Sequence, residues 1–443
     1  MQRYLYNIFY ILIGMTVIIP VYAQTLLATD QPVIHGALSV QQAVQTGLRY
    51  NPGVQGMQAD VRVALQETRA VRAMTKPQIS ANTTISTGSM SNIFNSSPGV
   101  TPVNTLVTPG KSYADQNLTL MVPLFTGGRL SSLVRAASER ERAASANVGT
   151  EQAATALMIK NSYYRAQLAS EMVKVAEARI TADTELVRNA QSLFDAGKGI
   201  EAQVSRARAE LADAQRMYIL AINDRAKMMF DLQTAMGVNP DSDFTLSDML
   251  TYIPITGDVK NSLIEANKVR PELMAARARL AAARAQVSAA KGSLAPQVYG
   301  GVMADVFAPR DMNRNAGISA GITIGIPLFD AGQRRAEVAG LQAMQQRAEA
   351  DLRSSELAVS NEIRQAWLDI QTAEQNYRTA QSALVAAQQA YDVTALRVQS
   401  QKSIQVELLD SITALTQSRT NVAQALYDYS IAIARLKRAV GKD

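Results

Sequence analysis

Val122-Pro-Leu-Phe-Thr-Gly-Gly-Arg129 and Ile326-Pro-Leu-Phe-Asp-Ala-Gly-Gln-Arg334 are two versions of one stretch, and their repetition decides the fold. Each closes an alternating, strand-like segment and opens a very long helical one. Pro123 and Pro327 stand 204 positions apart, and that offset persists downstream without a gap: Ile159 with Ile363, Tyr163 with Trp367, Lys198 with Lys402, Gly237 with Gly441. Upstream the offset is 219, from Pro52 and Pro77 to Pro271 and Pro296, so a difference of 15 residues sits between the strands of each half. An internal repeat fixes architecture before any local reading does. Here it spells helix, strand, loop, strand and long helical hairpin, twice over.

Around the two stretches the alternation is specific. Ile318, Ala320, Ile322, Ile324, Ile326 and Leu328 fall on one face of a strand, with Ser319, Gly321, Thr323 and Gly325 on the other. Val298, Val302, Ala304 and Val306 supply its partner. Ile79–Ile85 and Leu118–Val122 repeat the pattern in the first half. Segments of about 10 residues, apolar outward and polar inward, carry the signature of a transmembrane β-barrel. Strands are expected over 78–87, 112–124, 297–307 and 316–328. A long Ser, Asn, Pro and Gly loop from Gly88 to Gly110 and a short one from Ala308 to Asn315 account for the 15 residues.

Downstream the period changes. Ile363, Ile370, Tyr377, Leu384, Tyr391 and Val398 form a seven-residue series, with Ala366, Ala373, Ala380, Ala387 and Thr394 three places on. Ile159, Ala166, Val173, Ile180, Val187 and Phe194 hold the same positions in the first half. This is a coiled-coil pattern, and a sustained seven-residue repeat implies a left-handed supercoil. It breaks at Asp195-Ala-Gly-Lys-Gly199 and Gln399-Ser-Gln-Lys-Ser403, so helical hairpins are expected over 129–237 and 333–440. A helix from 129 to the first break would be roughly 95 Å long. Asn51-Pro52 and Arg270-Pro271 interrupt the shorter helices upstream, because proline disfavours helix at the residue before it.

The first repeat occupies 24–237, the second 259–443, and 238–258 lies between them as a collar. Residues 24–37 read as an extended surface leader. Residues 1–23 read as a secretory signal peptide: Arg3, an apolar run from Ile8 to Ile19, then Val21-Tyr22-Ala23 before the expected cleavage. No later apolar run reaches the roughly 20 residues of a spanning helix. Any membrane crossing must therefore use strands. The chain has no cysteine, which excludes disulfides, thiolate metal sites and a lipidated N-terminal cysteine. Its net charge of +6 is spread along helices rather than clustered, the pattern of solvated helix faces and not of a nucleic-acid partner.

Four strands cannot close a barrel, since the smallest outer-membrane barrels need about eight, and an open sheet edge is not tolerated in lipid. Copies of the chain must share one barrel and one helical cylinder. The Asn-Pro break, the proline before each first strand, the Pro-Leu-Phe-x-x-Gly junctions and the duplication together resemble the TolC family of outer-membrane efflux proteins. That resemblance implies a homotrimer, with a 12-stranded barrel in the outer membrane lipid continued by an α-helical coiled-coil tunnel in the periplasm. It also implies a periplasmic adaptor and an inner-membrane transporter as partners, with no cofactor. The missing acylated cysteine departs from the lipid-anchored branch of the family.

The resemblance also nominates residues. Carboxylates beyond the second helix break form a ring at the tunnel entrance in the family, and Glu407 and Asp410 stand there. Gln203 and Arg206 are their first-half counterparts, which suggests a gate contact between Arg206 and Asp410. Val398 and Ser403 take the places of an aromatic and a basic gate residue, so the closing network differs in detail. Lys198, Gly199 and Lys402 mark the hairpin tips, where an adaptor would dock; cations near helix C-termini are also favoured by the dipole alone. Pro123, Phe125, Pro327 and Phe329 mark the junction of barrel and tunnel.

An enzymatic reading is weak. Gly317-Ile-Ser-Ala-Gly321 matches a nucleophile elbow in letters, but Ser319 lies inside an alternating strand and the sole histidine, His35, lies in the leader. Two functions compete: a passive gated duct, carrying either small toxic molecules or type I secreted polypeptides, and a non-porous periplasmic coiled-coil scaffold. The four alternating segments favour the duct.

Overall fold

The computed structural model describes residues 31–86, 113–309, 315–400 and 402–442. The expected signal peptide, the Gly88–Gly110 loop and the middle of the second loop lie outside the described residues.

Each half runs through the same elements. Helix α1 (Val40–Tyr50) is followed by α2 (Pro52–Ala73), strands β2 (Gln78–Ser86) and β3 (Tyr113–Phe125), and helices α3 (Arg129–Asp195) and α4 (Glu201–Met236). The second half repeats them as α5 (Val259–Val269), α6 (Pro271–Gly292), β5 (Gln297–Pro309), β6 (Asn315–Gly325), α7 (Gln333–Gln399) and α8 (Gln405–Val440). Short strands β1 (His35–Leu38) and β4 (Asp243–Leu246) precede and follow the first half. Helix lengths match pairwise: α3 and α7 have 67 residues each, α4 and α8 have 36. At 1.5 Å per residue the long helices span about 100 Å.

The residue before each early proline shows how the two halves use different side chains for one task. Asn51 ends α1 in an extended conformation, and its side chain accepts from Gly53 N at 2.8 Å to start α2. Its Nδ2 also donates to Ala235 O at 3.0 Å, tying the short helices to the end of α4. Arg270 stands at the equivalent place and donates from Nη1 to Ala439 O at 2.8 Å, 204 residues beyond Ala235. Buried carbonyls at helix ends need such donors.

Strands β2, β3, β5 and β6 form one antiparallel sheet in that order, so β3 and β5 join the two halves. The register aligns the alternation. Ala81, Leu118, Ala304 and Ile318 lie in one row across the sheet, and Ile79, Leu120, Val302 and Ala320 in the next. Between these rows run Ser80, Thr119, Met303 and Ser319. One face is therefore mainly apolar, interrupted by Thr83 and Gln116, and the other largely polar. Strand β6 ends at Gly325, short of the expected 328. Gly325 is the last residue with a partner, Gln297, and Pro296 precedes that partner. Strand β3 reaches Phe125 because Val298 still pairs with it beyond a bulge at Leu124.

The junctions need special backbone. Gly127 and Gly128 have φ of +58° and +79°, and a Cβ on Gly127 would lie 2.6 Å from Gly292 O. Helix α6 therefore ends against the start of α3 in backbone contact.

Below the sheet the core is a set of seams rather than a globule. Alanine is the most frequent buried residue of α3, α6 and α8, which lets the helix axes approach closely. Helix α6 packs between α3 and α7, and α8 packs against both long helices. Among the described residues no helix is long and apolar enough to cross a membrane.

The described part of the leader, 31–37, is extended and mostly exposed, and its end pairs with the segment between the repeats. His35–Leu38 pairs in parallel with Asp243–Leu246, so the segment between the repeats and the leader form one small sheet. Leu38 and Phe244 are buried there with Tyr163, Leu232 and Met236.

Candidate functional site: the hairpin tips

The two hairpin turns are built alike. After α3, Gly197 takes φ of +68°, its N–H reaches Phe194 O at 2.9 Å, and Lys198 N reaches Leu193 O at 2.8 Å. After α7, Lys402 N reaches Arg397 O at 2.8 Å, and Ser400 N reaches Leu396 O at 3.0 Å. Each lysine thus takes the same place in a matched turn. Both are exposed, and neither forms an ion pair among the described residues. Gly199 lies close under the end of α3: a Cβ there would meet Phe194 N at 3.0 Å.

Beyond the turns, Gln203 Oε1 accepts from Ile200 N at 3.5 Å, capping α4. Its counterpart Glu407 instead accepts from Ser403 Oγ. Gln405 Nε2 donates to Gln203 O at 3.4 Å, so the two tips touch. An apolar seam holds them together: Leu186, Ala190, Val204 and Ala207 of the first hairpin against Leu408, Leu409 and Ile412 of the second. Val398 packs half-buried against this seam and not beside the carboxylates.

Glu407 and Asp410 are both exposed on α8, while Leu408, Leu409, Ser411 and Ile412 between and beyond them are buried. Asp410, Gln417 and Gln424 continue one exposed polar row at seven-residue steps. Arg206 is exposed on α4, and within one chain it forms no ion pair with Asp410 among the described residues. At the other end Pro123 lies in β3 and Pro327 just after β6; Phe125 is 53% and Phe329 90% exposed on the isolated chain.

Two polar sites went unnoticed in the sequence. Asp183 is completely buried in the α3 seam, accepting from Arg179 Nε at 2.9 Å, while Arg179 Nη2 reaches Glu210 at 3.3 Å. Burial pushes the Asp183 carboxyl above its ordinary pKa, against the opposing pull of Arg179. The signal was present: Ala169, Ala176 and Ala190 occupy the same seven-residue series, and Asp183 interrupts it. Arg270, 3% exposed, joins Glu272, Glu362 and Arg438 in an ion network at 2.8 to 3.7 Å. Only its place before Pro271 hinted at this.

Ser319 sits mid-strand in β6 and His35 in the separate β1–β4 sheet, so no elbow or triad assembles.

An open sheet with one apolar face, continued by helical hairpins of about 100 Å, is the protomer fold of outer-membrane channel-tunnels. Solved structures with this fold include the outer-membrane channel OprN, 23% identical with a TM-score of 0.76, covering 91% of this chain and 90% of that one. VceC from Vibrio cholerae is 18% identical with a TM-score of 0.75, covering 91% and 96%. The CmeC channel of Campylobacter jejuni is 14% identical with a TM-score of 0.76, covering 91% and 85%. The sequence pattern of the outer membrane efflux protein family matches residues 43–238 and 263–442. The chain belongs to the outer membrane efflux protein family, and it is an outer-membrane protein with its helical part in the periplasm. Protein CyaE of Bordetella pertussis is 26% identical over 280 residues, a stretch that makes up 59% of this chain and 57% of that protein.

Proposed function

We propose that the protein is a passive, gated duct, three copies of which share a 12-stranded barrel and a helical tunnel. The observation that carries this is the four-stranded sheet. It presents one apolar face, and its edge strands β2 and β6 have no further partner among the described residues. In lipid such edges must be covered, and symmetric closure by further copies covers all of them at once.

The same closure explains the exposed apolar side chains of the helices. Leu357, Leu368, Val385 and Leu396 on α7, and Ile219 and Phe230 on α4, are 54% to 72% exposed on one chain. These faces meet when neighbouring copies pack side by side. The polar face of the sheet and the row through Asp410 then line a lumen, and Glu407 and Asp410 ring its inner end. A charged ring at a constriction selects ions. Lys198, Gly199 and Lys402 project from the tips toward a periplasmic adaptor, which couples the duct to an inner-membrane transporter, proton-driven or ATP-driven. The duct itself only conducts; small toxic molecules or polypeptides are its cargo.

Single-channel recording of the detergent-extracted oligomer in a planar bilayer tests the reading. The expected result is a small, cation-selective conductance whose selectivity is lost in Glu407→Ala with Asp410→Ala. An unchanged selectivity would remove the acidic entrance and keep the duct. No conductance from a folded, monomeric chain would leave the coiled-coil scaffold.

A further inference from the structure

Immediately below the sheet, a groove of about 550 Å³ opens between α3, α6 and α7. Three arginines line it, Arg135, Arg277 and Arg284, against one carboxylate, Glu139, and its floor includes Leu280 and Leu352.

The groove lies on the outside of the tunnel. Arg129, at the start of α3, donates from Nη2 to Tyr299 Oη at 3.3 Å, and Tyr299 stands on the polar face of the sheet, beside Thr323. Asn147 follows 18 residues later, about five turns of α3 and hence beneath Arg129. It accepts from Arg279 Nη2 of α6 at 2.9 Å. That pair marks the lumenal side of α6. Arg277, two residues away, leaves the helix on nearly the opposite side, and Arg284 and Ser288 follow it there at helical spacing. The groove is therefore continuous with the apolar, lipid-facing side of the sheet.

Its height fits the edge of a membrane. Leu328 and Phe329 are 90% exposed at the foot of β6, and Leu294 is 46% exposed at the foot of β5, making an apolar girdle. Ser288 lies about 6 Å and Arg284 about 12 Å along α6 below its end at Gly292, and Arg135 lies about 9 Å along α3. Arg135 leans toward the start of α3 and so reaches upward from that depth to an interface, whereas Arg284 reaches down to Glu349, about 24 Å along α7. Lys291, one turn above Ser288, is exposed. Neither it nor Arg135 has an ion-pair partner among the described residues. The facing charges from the other helices are accounted for: Glu139 is bound by Arg142 at 2.6 Å, Glu349 by Arg284 at 3.2 Å, and Glu356 faces Arg277 at 4.0 Å. A positive excess with an apolar floor remains. Helix α6 lies in the middle of the protomer, between α3 and α7, so packing of neighbouring copies at α4 and α7 leaves its outer face open.

We propose that this groove holds an anionic phospholipid of the adjoining leaflet. Its phosphate sits at the upper rim between Arg135 and Lys291, and an acyl chain continues onto the apolar sheet face. The site anchors the tunnel against the membrane at the depth where barrel becomes helix. It rests on the duct reading, because it needs the sheet to be embedded.

The test uses the intact oligomer in nanodiscs of mixed phosphatidylcholine and phosphatidylglycerol, with co-purifying lipid counted by native mass spectrometry after detergent release. Wild type is expected to retain the anionic lipid about thirtyfold over the zwitterionic one, as attraction of two basic side chains to an anionic surface predicts. Arg135→Gln with Lys291→Gln brings the ratio to within about twofold of parity, whereas Arg135→Lys with Lys291→Arg keeps most of it. Arg188→Gln with Arg216→Gln, on distant exposed helix surface, leaves the ratio unchanged. Parity in the wild type, or a preference that the glutamine pair retains, overturns the lipid site while the duct stands. A protein that folds but never enters the nanodisc sinks the duct reading and the lipid site with it.

Discussion

Asp183 concentrates the chemistry of the hairpin seam in one side chain. It is fully buried, one of its oxygens has no partner, and Arg179 holds the other. A buried carboxylate of this kind specifies packing better than it stabilises it. Its folded pKa lies above the value in the unfolded chain, with burial as the main cause. The destabilisation caused by ionising it is therefore full above the raised value and is relieved as pH falls from there toward the unfolded value. Asp183→Asn is expected to raise the melting temperature of the oligomer at pH 7.5. That gap should close as the wild-type carboxyl is protonated on acidification. A variant that melts below wild type at pH 7.5, with no pH-dependent gap, would show that the Arg179 pair outweighs burial. At this scale the sequence was partly legible. Pro123, Gly127 and Gly128 announced a junction, and the Asn51-Pro52 break announced two helices. That Arg270 would do the work of Asn51, or that Glu407 would bind Ser403, depends on partners distant in the chain or in rotamer, which no local pattern encodes.

Among the elements, the segment between the repeats behaves as a strap across the middle of both hairpins. Its first part is fastened to the first half: Tyr163 Oη donates to Asp248 Oδ2 at 3.3 Å, and Asp248 also accepts from Val40 N at 2.7 Å. Burial pushes the Tyr163 hydroxyl up to about 12, so it remains a donor at any physiological pH. Its second part is fastened to the second half. Tyr252 stacks on Tyr377 at 5.0 Å and donates to Glu374 at 2.8 Å, and Tyr429 Oη donates to Ile253 O at 2.8 Å. Tyr429→Phe leaves that carbonyl without its donor and costs about 1 to 3 kcal/mol. Faster limited proteolysis within 249–256 is the expected readout, with the helices intact. Unchanged cleavage would mean that the tyrosine stack alone holds the strap. The long helices and the strands were legible because their periods, seven and two, persist over many residues. Strands β1 and β4 were not, because four residues cannot display a period and their pairing partners lie 208 residues apart, as His35 does from Asp243.

At the scale of the whole molecule the isolated chain is incomplete in two places at once: the edges of its sheet and the outer faces of α4 and α7. Both deficits lie on the flanks of the protomer, and side-by-side packing of copies removes them together. The duplication foretold this incompleteness, since two repeats supply only four strands where a barrel needs about eight or more. How far neighbouring copies are staggered was not legible, because register across an edge is set by the meeting of two surfaces and not by either strand alone.

The absence of cysteine makes the shared barrel directly testable. Ser80→Cys on the polar face of β2 is combined in turn with Gly317→Cys, Ser319→Cys, Gly321→Cys or Thr323→Cys on the same face of β6, and each pair is oxidised in intact outer membranes. Shared closure predicts covalent ladders ending at three copies for one position or two neighbouring ones, because β6 of each copy must lie against β2 of the next. Chains that remain monomeric at every position, although folded and embedded, would contradict the shared barrel.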